Sequence, residues 1–178
     1  MPKKQIVNGM MLKERIVTEC SDESREIYDK GRFGEPLEDG RLQLNLTEAQ
    51  YLVEKEKLML VDGRNQGIVP DKLLKKAIRL EPNFWVRYQV YRDLRDRGYI
   101  VKTALKFGAD FRVYGRGVKP GEDHAKWLIY PVKEGDTLTW YEFAAKNRVA
   151  HSTKKRLMIG IVDAEGDVTY YEIRWMRP

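Results

Sequence analysis

The stretch "PNFWVRYQVYRDLRDRGYIVKTALKFG", Pro82–Gly108, decides the fold of the longer half of the chain. Phe84, Tyr88, Tyr91 and Leu94 recur at helical spacing, so one apolar stripe faces a core. Arg97 falls in the last turn and Gly98 stops the helix. The pattern then changes period. "YIVKTAL", "DFRVY" and "HAKWLIYPV" read as strands, and a capped helix begins at Thr139, with Glu142 three residues on, and runs to about Ala150. "RLMIGIV", an acidic turn "DAEGD" and "VTYYEIRWM" read as the paired strands of one hairpin. Helices set between strands predict an α/β domain over residues 83–178, with a mixed central sheet flanked by helices.

Upstream, residues 1–82 read as a small α+β domain. "IVNGMMLKERIVTE" predicts one or two strands, and Gly31, Gly34, Pro36 and Gly40 predict turns before another strand. A helix is expected with Thr47 as its cap, Gln50 as the capping-box partner and Leu46 with Tyr51 at staple spacing. A second helix over "PDKLLKKAIRL" has Pro70 near its first position. There is no internal repeat.

The totals narrow the class. The 178 residues are 42% hydrophobic and 34% charged, which fits a water-soluble globular protein. Cys20 stands alone, so no internal disulfide can form, and a reducing, cytoplasmic setting is expected. No apolar run reaches the roughly 18–20 residues that cross a bilayer, and "MPKKQIVNGM" lacks a signal-peptide core, so no membrane partner is expected. A net charge of +6 and a pI near 9.3 favour a polyanion, nucleic acid before membrane.

Most site chemistries are poorly served by these residues. His124 and His151 lie far apart with one cysteine in the chain, so no metal site is expected. "GRGVKPG" matches neither a Walker loop nor a dinucleotide fingerprint, and no serine or cysteine sits in a nucleophile elbow. Asp163, Glu165 and Asp167 cluster, but in a hairpin turn, an ordinary place for acids. What remains is an acid–base set: Tyr114, His124 and a lysine of "HSTKKR". Tyr114 and His124 stand at the two mouths of one basic loop in "VYGRGVKPGEDHAKWLIY", Val113–Tyr130. RNA can be cut without metal, because its own 2′-OH is the nucleophile; the reaction needs a base, an acid at the leaving 5′ oxygen, and a cation for the developing charge. Histidine suits the acid role. Tyrosine, with an ordinary pKa of about 10, serves as base only where cations favour the phenolate. On residue types alone, a strand aromatic and a surface histidine remain open alternatives.

Three ordered blocks carry a resemblance. "YRDLRDRGYIVKTALKFGADFRVY", "HAKWLIYPV" and "RVAHSTKKRLMIGIVDAEGDVTYY" resemble the catalytic domain of the archaeal tRNA-splicing endonucleases, over roughly residues 85–178; the preceding unit is similar, more loosely, to that family's N-terminal domain. The resemblance implies the tRNA-intron endonuclease fold, which is restriction-endonuclease-like, and an endoribonuclease that needs no metal or other cofactor. Its substrate would be precursor tRNA, cut at bulge–helix–bulge junctions to leave 2′,3′-cyclic phosphate and 5′-hydroxyl ends. Carried over by position, Tyr114 is the base, His124 the acid and Lys155 the transition-state cation, with Lys154 the competing lysine. Arg148 matches a position from which the family clamps a bulge base; Trp175 is the expected second face, with Arg174 as the alternative. His151 is given no role. Asp163, Glu165 and Asp167 resemble the acidic loop that ties dimers into a tetramer, so a homotetramer, a dimer of dimers, is expected, with a mixed tetramer of active and structural subunits as the alternative. The competing functions are a structural subunit that binds RNA without cutting it, and an RNA-binding module unrelated to splicing.

Overall fold

The structure, a computed structural model, describes residues 6–178. Residues 1–5, half of the stretch "MPKKQIVNGM" in which no signal-peptide core is expected, lie outside the described residues. The chain divides into two compact units, Met1–Trp85 and Val86–Pro178.

The first unit opens with strands β1 (Val7–Leu12) and β2 (Arg15–Thr18), paired antiparallel, with Val7, Met11 and Ile16 buried by the two-residue alternation. Helix α1 (Asp22–Gly31) follows, where the sequence pattern predicts only strands and turns. Ser21 caps it by accepting from the Ser24 N–H, Asp22 and Glu23 favour its positive end, and Arg32 closes it in the left-handed conformation. Strands β3 (Glu35–Pro36) and β4 (Leu42–Leu44) lead to helix α2 (Leu46–Glu54), strand β5 (Leu58–Val61) and helix α3 (Pro70–Leu80), which Pro70 starts as expected. The sheet order is β3-β4-β2-β1-β5, with β5 parallel to β1. The α2 cap differs from the expected one. Asn45, not Thr47, accepts from the Glu48 N–H at 2.8 Å, and the Glu48 carboxylate returns to the Asn45 N–H at 3.1 Å. The same carboxylate holds the Gly34 N–H at 3.0 Å. One buried acid thus ties the helix start to the preceding turn, which fixes the cap two residues earlier.

Helix α4 (Phe84–Asp96), all but its first two residues in the second unit, buries Tyr88, Tyr91 and Leu94, and ends before Gly98, whose φ is +85°. Strands β6 (Val101–Ala104), β7 (Ala109–Val113) and β8 (Trp127–Lys133), helix α5 (Trp140–Ser152), and strands β9 (Arg156–Val162) and β10 (Val168–Ile173) complete it. The sheet order is β10-β9-β8-β7-β6, antiparallel except for the β8–β9 pair, so the sheet is mixed as expected. The two helices cover opposite faces. Tyr91 packs on Phe111 with ring centroids 5.7 Å apart, and Tyr170 donates to Asp93 at 2.8 Å, both on the α4 face. A Cβ on Gly160 would meet Val90 at 3.0 Å, so glycine lets α4 approach β9. On the other face Ala150 of α5 joins Leu128, Tyr130 and Leu157 in a buried cluster. Thr139 caps α5 in a capping box with Glu142, as the sequence predicts.

Among the described residues, no helix is long and apolar enough to cross a membrane.

Candidate active site

Strand β7 ends at Val113, and the next residue, Tyr114, is 5% exposed, with its N–H donating to the Ile100 carbonyl at 3.0 Å. The chain then leaves the sheet through a loop in which Gly117 (φ +79°) and Gly121 (φ +96°) adopt left-handed geometry. It returns at Lys126, whose N–H donates to the Val113 carbonyl at 2.8 Å and whose carbonyl accepts from Arg156 at 3.0 Å. His124 lies in this return and is exposed. The strand begins at Trp127, three residues later than the "HAKWLIYPV" run suggests, because the backbone there is occupied by local turns: the His124 N–H donates to the Asp123 carboxylate at 2.6 Å.

Lys155 arrives from the far end of α5. The Lys154 N–H donates to the His151 carbonyl at 3.0 Å, and the Lys155 N–H to the Ala150 carbonyl at 2.8 Å, with Lys154 left-handed at φ +55°. This pair of bonds is the Schellman ending of a helix. Lys154 is exposed, while Lys155 is half-buried, its Nζ donating to the Thr153 carbonyl at 3.0 Å and lying 5.1 Å from the Phe107 ring centre.

Tyr114, His124 and Lys155 line one cavity of about 360 Å³, together with Arg112 and Phe107; Lys154 does not line it. A buried phenol, an exposed imidazole and an ammonium thus share a space large enough for a phosphodiester. Proton transfer at two points and charge stabilisation at a third are what these groups can supply. Among the described residues no group of three or more histidine, cysteine or acidic side chains could hold a metal ion.

A second cavity of about 200 Å³ shares Lys155 and is lined also by Asn147, His151, Arg156, Arg174 and Trp175. The Trp175 ring lies 4.7 Å from the His151 ring, and the Arg177 guanidinium 5.8 Å from the Trp175 ring centre. Trp175 follows the end of β10 and is half-exposed. Arg148 is exposed on α5 and does not line this cavity; His151, one turn further along, does. His151, for which the sequence predicts no role, stands three residues after Arg148, so both lie on neighbouring turns of one helix. Arg174 donates from Nε to Glu172 at 2.8 Å. Glu172 also accepts from Trp127 Nε1 at 2.7 Å and from Arg156 at 3.2 Å, and these donors, Trp127 first, hold its carboxyl down at a pKa of about 2.

The three acids of the turn differ in their surroundings. Asp163 Oδ1 accepts from the Glu165 and Asp167 N–H groups, both at 2.9 Å, so this carboxylate builds the turn. Glu165 and Asp167 are exposed.

Comparison with known proteins gives a consistent result. The family model described as the tRNA intron endonuclease catalytic C-terminal domain matches residues 84–170, and that for the tRNA intron endonuclease N-terminal domain matches residues 7–74. The chain is 40% identical to a tRNA-splicing endonuclease of Methanothermobacter thermautotrophicus over 172 residues, covering 97% of this chain and 99% of the relative. It is 37% identical to one of Thermococcus onnurineus over 174 residues, covering 98% and 99%. It is 44% identical to one of Nanoarchaeum equitans over 142 residues, covering 76% and 90%.

Proposed function

Because the chain belongs to the tRNA intron endonuclease family and carries its catalytic domain, we propose that it excises introns from precursor tRNA at bulge–helix–bulge junctions, in the cytoplasm and without a metal ion. Tyr114 takes the proton of the 2′-OH at the cut site. The 2′ oxygen attacks phosphorus, the bond from phosphorus to the 5′ oxygen breaks, and His124 gives its proton to that oxygen. Lys155 faces the negative charge that builds on the non-bridging oxygens between these events. The products are a 2′,3′-cyclic phosphate and a 5′-hydroxyl, with no oxidant or added nucleophile consumed.

One observation carries this reading: Tyr114, His124 and Lys155, drawn from a strand end, a loop and a helix end, line a single cavity. The exposed face around Trp175 and His151, with Arg148 one turn away, offers planar groups on which an unpaired base could stack, and we assign the bulge base to it. The active form is a homotetramer built as a dimer of dimers, with Glu165 and Asp167 reaching a basic surface of the facing dimer. The test is cut-site mapping on a precursor with the bulges intact and on one with both bulges paired. Cleavage confined to the bulges supports the reading; equal cutting of both RNAs, or of neither, overturns it.

A further inference from the structure

Arg112 stands two residues before Tyr114 on β7, and by strand alternation it lies on the face covered by α5, opposite Leu128 of β8 and Lys102 of β6. This is an expensive place for a guanidinium. Leu128 is fully buried, and Lys102 stands directly across the β6–β7 pair, so neither strand neighbour offers the guanidinium a carboxylate. The Arg112 Nε is buried and has no hydrogen-bond partner among the described residues. Nor does it have an acid there. Asp110, two residues earlier on the same strand, is paired with Arg87 at 2.8 Å. The two acids that line the cavity are exposed and engaged by backbone: Glu122 accepts from the Lys119 N–H at 3.1 Å, and Asp123 from the His124 N–H at 2.6 Å.

A buried donor left unmade costs stability, and an apolar side chain of similar length would fill the space more cheaply. An oxyanion that enters the cavity Arg112 lines with Tyr114, His124 and Lys155 would supply the missing acceptor. We infer that Arg112 is a phosphate-holding residue, its planar guanidinium fork taking the non-bridging oxygens of the RNA phosphate at the cut site. This inference rests on the proposed endonuclease function for the identity of the ligand, but not for its chemistry, which is that of an oxyanion. Lys155 is a point charge on the same cavity, whereas the arginine fork fixes an orientation. Arg112 thus sets which face of the phosphate meets the 2′ oxygen.

The test uses the full chain and two probes. Inorganic phosphate is titrated into wild type, Arg112→Met and Arg112→Lys, following the cavity resonances by NMR. The affinity should fall at least about 10-fold in Arg112→Met and less in Arg112→Lys, the range of a lost charge-assisted hydrogen bond. Single-turnover cutting of a bulge–helix–bulge RNA should fall about 10²–10³-fold in Arg112→Met, as for the loss of one donor to a transition-state oxyanion. The melting temperature should hold or rise. Should Arg112→Met fail to fold, Arg112→Gln keeps a polar group of similar length and takes its place in both assays. A wild type that takes no phosphate at the cavity, or a variant that binds it as tightly, overturns the inference. A folding defect with unchanged phosphate affinity does so too, by making Arg112 structural. If wild type binds phosphate through Arg112 but cuts no bulged RNA, the proposed function fails while the phosphate site stands.

Discussion

Lys154 and Lys155 are adjacent in sequence but diverge in space: Lys154 occupies the left-handed position that ends α5 and is exposed, and Lys155 lines the cavity with Tyr114 and His124. The Schellman ending produces this divergence, since the reversal of the backbone at Lys154 sends successive side chains to different sides.

Lys155→Ala should lower single-turnover cleavage by about 10²–10³-fold, the range for losing one charge-stabilising donor. Lys154→Ala should leave it within a few-fold. Lys154→Gly should keep activity and raise stability by about 1 kcal/mol, because a left-handed backbone costs glycine nothing. Parallel cleavage assays and thermal melts of the three variants check the ranking.

His124→Ala should slow cleavage by about 10²–10⁴-fold, the usual contribution of a general acid or base, while RNA affinity changes little. Tyr114→Phe should also impair the chemical step. His124 is exposed and its loss should not lower the melting temperature, so a dead but fully folded variant is the expected result. Wild-type rates in His124→Ala would remove the acid from the account.

The acidic turn predicts a split between its members. Asp163→Asn should loosen the turn and lower stability, because its carboxylate accepts from two backbone N–H groups at 2.9 Å. Glu165→Gln with Asp167→Asn should leave the fold intact and shift tetramers toward dimers, the more so at high salt. Sedimentation of the double variant decides it. A salt-resistant tetramer with full activity would leave these two acids as a solvated hairpin tip.

Glu172 predicts a pH dependence. Its folded pKa of about 2 lies below the ordinary 4.5, so the stability it contributes is present above the ordinary value and is lost as pH falls through about 2. Glu172→Gln should therefore melt below wild type near neutrality, with the gap closing as the pH falls through that window. Because Glu172 is joined to Trp127, Arg156 and Arg174, the variant should also loosen the segment that carries Trp175. Melting curves of both proteins across the acid range test the sign.

Much of this was legible in the sequence, for reasons that lie in individual residues. The α4 stripe of Phe84, Tyr88, Tyr91 and Leu94 has one period and a glycine stop, and the structure buries all four. Pro70 and the Thr139–Glu142 box mark helix starts by short-range chemistry alone. Helix α1 is not legible locally because its apolar signal is thin: Ser24 is its one buried residue, and its Gly31 reads as a turn. The α2 cap was displaced because Asn45 and Thr47 are both good caps, and the choice between them rests on the Glu48 contact to Gly34, a tertiary bond that no local pattern encodes. His151 and Arg112 do not stand out in the sequence for a similar reason. One is distinguished by its contact with a tryptophan from a distant strand end, and the other only by an unmade bond in a cavity.

The central claim is that Tyr114, His124 and Lys155 cut RNA through its own 2′-OH without a metal. The most direct measurement is end-group analysis of a bulge–helix–bulge RNA, folded beforehand and incubated with the purified full-length chain in EDTA. The account predicts cleavage at undiminished rate, with 2′,3′-cyclic phosphate and 5′-hydroxyl termini. Products with 3′-hydroxyl and 5′-phosphate ends, or a chemical step restored only by a divalent ion while the RNA stays folded, would contradict it.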